Sequence, residues 1–117
     1  MGILSGKTKG VFTLTEHDIQ SAIREELSKR GFCVFRANVG KVKMQDGRWF
    51  DTGLPKGHSD LVAYKNGRAY FLEVKTPTGH IRPEQEKFLA IMRDRYGCVT
   101  GIVRSVDDAL EVVGVIS

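Results

Sequence analysis

The chain has 117 residues, a formal charge of +4 and a pI near 9.2. That length holds one domain whose core can stand without disulfides or structural metals, and the basic balance suits an anionic partner such as nucleic acid. The two cysteines, Cys33 and Cys98, follow neither zinc-ligand nor disulfide-framework spacing and are expected as buried free thiols. No apolar run reaches the roughly 18 residues of a membrane span, and no signal-peptide core opens the chain, so a cytoplasmic protein is expected.

Residues 1–12 read as a basic, glycine-containing and mobile tail ahead of a single domain over 13–117. Gly2, Gly6, Lys7 and Thr8 imitate a phosphate-binding loop, but the spacing is one residue short and no buried strand precedes it. Met1-Gly2 imitates a myristoylation signal, with Gly6 where Ser or Thr is required. From Thr13 the pattern is helical. Thr13 with Glu16, or Thr15 with Asp18, serves as a capping box, and Ile19, Ala22, Ile23 and Leu27 make the apolar stripe. Glu16 lies within about 20° of Ile23 and Leu27 around the helix, so its carboxylate points the way the core face points. Either it favours the positive end of the helix dipole, or other acids join it. Glu26 shares the stripe and has Arg30 four residues on as an ordinary ion-pair partner.

Gly31 ends the helix, and residues 32–38 read as a strand. Residues 39–56 form a long loop or loose hairpin. It carries Lys41, Lys43, Arg48 and Lys56 with Trp49 and Phe50 among them, a mixture able to neutralise phosphates and stack on bases. The alternative is a solvated flap whose Trp49 packs on the core.

Asn66-Gly67 then separates two apolar runs, 59–65 and 68–75, and is the pair that best tolerates the positive φ angles of a type I′ turn. A two-residue turn fixes the register: Lys65 faces Arg68, Tyr64 faces Ala69, Val62 faces Phe71 and Asp60 faces Glu73. Opposed partners have Cβ atoms about 4.5–5.5 Å apart, and two like charges near 4 Å repel by roughly 4 kcal/mol at an effective dielectric of about 20. A purely structural hairpin has reason to avoid this pair, whereas a divalent cation between the carboxylates reverses the sign. Lys75, two residues beyond Glu73, projects from the same face about 6–7 Å further along. Val62 and Phe71 on one face, and Leu61, Ala63, Tyr70, Leu72 and Val74 on the other, call for helices on both sides of the sheet.

A turn cluster at residues 76–79 leads to a helix over 83–96. Pro83 sits in its first turn, and Phe88, Leu89, Ile91, Met92 and Tyr96 form its buried side. Gln85 lies close to the end of the Glu73 strand and within reach of the acids, although a glutamine at such a position is more often solvated. Gly97 ends the helix, residues 98–104 read as a strand, and Ser105 caps a short helix through about residue 110.

This order, with an acidic pair on the central hairpin, resembles the PD-(D/E)xK nuclease superfamily and, within it, the virus-type replication-repair nuclease (VRR-NUC) domain, which has small stand-alone members in phages and bacteria. The resemblance covers 15–108. It rests on Glu16 with Ile19-Gln20, Arg36 with Asn38 and Gly40, Gly57-His58-Ser59-Asp60, Glu73-Val74-Lys75-Thr76-Pro77, Pro83-Glu84-Gln85 and Arg104-Ser105. It departs at Ser59, where the superfamily name implies proline, and at Arg82, where relatives often carry a small capping residue.

The resemblance implies an α/β fold with a restriction-endonuclease-like core: a mixed central β-sheet with helices on both faces. It implies Mg²⁺ or Mn²⁺ held by Asp60, Glu73 and the Val74 carbonyl, with Glu16 completing the acidic shell through a water or a second ion. Lys75 would orient or help deprotonate the attacking water, and Gln85 would position water or phosphate. His58 reads as a surface or phosphate-contacting group, joining Lys41, Lys43, Arg48, Trp49 and Lys56 in a DNA-contacting set; His17 and His80 carry no assignment. The implied activity is metal-dependent hydrolysis of DNA phosphodiester bonds. Small relatives act as homodimers on four-way junctions, which makes such a junction the favoured substrate and leaves flap or nicking activity open. A non-catalytic DNA-binding or partner-binding module is the other class, and the presence of Asp60, Glu73 and Lys75 argues against it.

Overall fold

The computed structural model describes residues 14–116. The expected tail, its two look-alike motifs and Thr13 lie outside that range. In chain order the elements are α1 (Glu16–Lys29), β1 (Cys33–Arg36), β2 (Lys41–Lys43), β3 (Trp49–Asp51), β4 (Leu61–Lys65), β5 (Arg68–Val74), α2 (Pro83–Asp94), β6 (Val99–Val103) and α3 (Val106–Val112). Four strands form a mixed sheet in the order β1-β4-β5-β6, antiparallel except for the β5–β6 pair, while β2 and β3 make a separate antiparallel arm.

The sheet is built around the Asn66-Gly67 turn, whose φ angles of 53° and 77° are both positive as a type I′ turn demands. Its register runs from Lys65↔Arg68 to Leu61↔Leu72, so Asp60 and Glu73 come next in line. Strict alternation then sorts the side chains into two layers. Leu61, Ala63, Tyr70, Leu72 and Val74 pack under α1 and α3 with Ile19, Ile23, Leu27, Ala109 and Leu110. Val62 and Phe71 face α2 through Leu89, with Phe88 and Met92 at the margin. Helices therefore cover both faces, as the two apolar sides of the hairpin require.

Of the two possible capping boxes, the second forms. Thr15 Oγ1 accepts from the Asp18 N–H at 3.1 Å, and Asp18 Oδ2 accepts from the Thr15 N–H at 2.9 Å. Glu26 and Arg30 pair at 2.8 Å on an exposed flank, a contact contributing only tenths of a kcal/mol, of order ~0.5. Ser105 caps α3 by accepting from the Asp108 N–H.

Several expectations need correction. Ala22, placed on the buried stripe, is exposed. α2 ends at Asp94, leaving Tyr96 beyond it and 62% exposed, and Ile91 is 40% exposed. Ile91 stands two residues from Leu89, about 200° around the helix, so both cannot face the sheet. Cys33 is exposed and Cys98 half-buried, rather than both buried. Cys33 lies on edge strand β1 opposite Tyr64, on a stretch of sheet that α2 does not cover. No helix among the described residues is long and apolar enough to cross a membrane.

Candidate active site

Asp60 precedes β4 and Lys75 follows β5, so the site occupies one end of the central hairpin. Asp60 is locked from two sides: its backbone carbonyl accepts from the Ala37 N–H at 2.8 Å, and its Oδ2 accepts from the Val74 N–H at 2.8 Å. Just ahead of it, buried Ser59 donates through Oγ to the Leu61 carbonyl, which fills the place where the superfamily name has proline. Glu73 is 1% exposed, and Lys75, also buried, brings Nζ to 3.7 Å from Glu73 Oε2.

Gln85 ties this pair of strands to α2. Its Oε1 accepts from the Arg82 N–H at the start of the helix, and its Nε2 donates to Glu73 Oε2 at 2.9 Å. Gln85, read from the sequence as within reach of the acids, is 5% exposed and clamped between a helix terminus and a buried acid, so the solvated alternative does not hold. The clamp depends on Gly57, which has φ 89° and lies so close to the first turn of α2 that a Cβ would collide with the Glu84 carbonyl. On the other flank the Arg104 guanidinium donates to the carbonyls of Thr76 and Gly79, holding the turn that follows Lys75.

Burial pushes the Glu73 carboxyl up to about 8, and the neighbouring Asp60 carboxylate pushes the same way, against Lys75. Glu73 Oε1 is, among the described residues, a buried side-chain oxygen with no hydrogen-bond partner. An acid in that state calls for either a proton or a cation between the two carboxylates. A hard divalent ion fits the donor set, since Asp60 and Glu73 offer only oxygen and are close enough for each charge to act on the other. Glu16 stands further off. Its charge still raises Glu73, but among the described residues no three His, Cys, Asp or Glu side chains cluster as an ion-binding set.

A cleft of about 690 Å³ opens onto Asp60 and Gln85, bounded by Gln20 of α1, residues 36–39 after β1, Val42 of the arm, residues 56–58 and the first turn of α2. Arg36, Lys56 and Arg82 give it a cationic lining; Arg82 is paired with Glu84 at 3.2 Å, and Asp60 is the other acid of the lining. Of the expected DNA-contacting residues, Lys56 and His58 line this cleft. The His58 ring is nonetheless packed, 4.5 Å from the Phe88 centroid and 5.8 Å from that of Phe71, with Nδ1 2.8 Å from the Ser59 carbonyl. Lys41, Lys43, Arg48 and Trp49 sit outside it on the exposed arm. Trp49 is 62% exposed, which overturns the alternative in which it packs on the core, and Arg48 is paired with Asp46. His17 and His80 are exposed. Arg82 and Glu84 were given no contact role by the sequence; their one visible signal was flanking Pro83 at a helix start.

Comparison with known proteins accords with this architecture. A family model described as the VRR-NUC domain matches residues 14–107. Two solved structures share the fold: a "VRR_NUC domain" with TM-score 0.61 and 22% identity, covering 84% of this chain and 92% of the other, and a "VRR_NUC domain protein" with TM-score 0.63 and 17% identity, covering 88% of each. No curated protein matches the chain. The chain belongs to the VRR-NUC domain family, nucleases of the PD-(D/E)xK superfamily.

Proposed function

We propose that the protein is a metal-dependent endodeoxyribonuclease that uses Mg²⁺ or Mn²⁺, cuts branched DNA with four-way junctions preferred, and works as a homodimer. The observation that carries the reading is the trio of half-buried Asp60 with buried Glu73 and Lys75 at the floor of a cationic cleft. Asp60 and Glu73, with the Val74 carbonyl, would hold the ion, and Glu16 would reach it through water. Once bound, the ion supplies Lewis-acid stabilisation of the charge that develops on the scissile phosphate. Lys75, held beside Glu73, orients the attacking water and assists removal of its proton. Gln85 acts by aiming Glu73, because both ends of its amide are already engaged. Lys56 and His58 contact the strand inside the cleft, and Lys41, Lys43, Arg48 and Trp49 contact it from the arm. Residues 13–117 act as one nuclease domain in the cytoplasm, with residues 1–12 as a basic tail.

Paired incision across a symmetric junction needs two sites, and one copy presents a single Asp60–Glu73 pair, which favours a two-fold dimer. The test is purified protein with labelled four-way junction, flap, nicked and linear DNA in Mg²⁺, Mn²⁺ or EDTA. Expected are paired cuts in the junction with either metal and none in EDTA, and Lys75→Ala that still binds DNA but no longer cuts. Single cuts confined to a flap would replace junction resolution by flap activity. Tight binding without cutting under any condition would make the chain a binding module.

A further inference from the structure

The β2–β3 arm has two unlike faces. Its register pairs Lys41 with Asp51, Val42 with Phe50 and Lys43 with Trp49. Directly opposed residues share a side, so Lys41, Lys43, Asp51 and Trp49 lie on one face, and Val42 and Phe50 on the other. Lys43 Nζ stands 6.0 Å from the Trp49 ring centroid on the charged side. Val42 lines the active-site cleft, so the face turned toward Asp60 is the apolar one. It is also open: Val42 is 41% exposed, Phe50 57%, and Val39, which lines the same cleft, 41%.

The cleft thus sets Val39 and Val42 against Arg36, Lys56 and Arg82, and Phe50, paired with Val42, continues that apolar face just beyond the lining. These two surfaces match the two halves of a nucleotide, the cations taking phosphate and the apolar side taking the flat face of a base. In continuous duplex the base faces are already stacked on their neighbours, and only edges remain free. An unpaired nucleotide has a face to offer.

We propose that Val42 and Phe50 form a base-stacking wall that receives an unpaired nucleotide beside the scissile phosphate, so that the site selects DNA with a locally unpaired base over continuous duplex. The inference rests on the nuclease reading and names the feature of branched DNA that the site recognises. The cationic lining of the same cleft is what identifies the occupant as DNA rather than a second copy of the chain.

The test uses the double variant Val42→Ser/Phe50→Ser in the full chain, two exposed positions whose change leaves the core untouched. Branched DNA carrying 2-aminopurine at the unpaired position and a fully paired control are compared for fluorescence change on binding in EDTA and for cleavage in Mg²⁺. Expected is a fluorescence change with the wild type at the unpaired position and a cleavage preference for that DNA of roughly tenfold or more. Both are lost in the variant while binding to paired duplex persists. An unchanged preference and an unchanged fluorescence response in the variant would overturn the wall and leave the nuclease reading standing. If the wild type cuts nothing, the nuclease reading fails, and the fluorescence response alone decides whether these two residues stack on a base. A variant that turns from dimer to monomer in sedimentation would assign the face to a second copy and overturn the proposal.

Discussion

β5 buries five consecutive residues on both faces, Glu73 among them, whereas the β2–β3 arm leaves every strand residue exposed. The first hairpin lies at the centre of the sheet between helices; the second pairs only within itself and sends Val42 to the lining of the cleft. A carboxylate at the end of a buried strand has its position fixed by packing and its charge resisted by desolvation. A lysine on an open arm has neither constraint. Changes in the central hairpin should therefore act on chemistry and folding in large steps, and changes in the arm should act on binding in small ones.

The sharpest way to break that contrast is Glu73→Gln. Cutting should fall by at least about a thousandfold, as expected for loss of an ion ligand, measured as single-turnover cleavage. Stability should respond in the opposite sense at high pH. The folded carboxyl is raised from 4.5 to about 8, so its stabilising contribution is complete below 4.5 and is lost as pH rises through 8. In EDTA the wild type should lose on the order of a few kcal/mol between pH 5 and 9 relative to Glu73→Gln, whose neutral amide mimics the protonated acid. Mg²⁺ should restore the wild type at the alkaline end and leave the variant unaffected. Parallel urea-melt stabilities of the two proteins from pH 5 to 9 would remove this account of the site.

Gly57→Ala comes next. It puts a side chain at φ 89° and against the Glu84 carbonyl, so loop and α2 must separate. A loss of about 2–4 kcal/mol is expected, with Gln85 drawn away from Glu73 and cleavage reduced even in the fraction that folds. A fully stable Gly57→Ala protein with unaltered cleavage would mean that the approach of this loop to the helix does not hold the site. The smallest effect belongs to the arm: Lys41→Ala and Lys43→Ala should each flatten the salt dependence of DNA binding by about one unit of log–log slope. Intact stability and turnover at saturating DNA should accompany the weaker binding. If either lysine variant unfolds the protein, the arm is structural and the contrast between the two hairpins fails.

Much of the central hairpin was legible because its signals are local. Asn66-Gly67 fixes a register by backbone geometry alone, and alternation over a few residues then places Asp60, Glu73 and both core faces. The capping residues Thr15 and Ser105 were readable for the same reason. The misplaced residues share a different cause. Cys33, Ile91 and Tyr96 are apolar or weakly polar residues whose exposure depends on where α2 ends, which of its sides meets the sheet and how much of the sheet it covers, none of which a local pattern encodes.

The amino-acid sequence by itself determined the turn, the strand pairing and therefore the meeting of two carboxylates, since each follows from φ preferences and a two-residue period. Only the tertiary structure decided that Gln85 clamps Glu73, that Arg104 holds the turn after Lys75, and that the arm turns Val42 rather than its lysines toward the cleft. Those contacts join residues far apart in the chain, and their geometry is set by how α2 packs on the sheet and where the arm comes to lie beside the cleft.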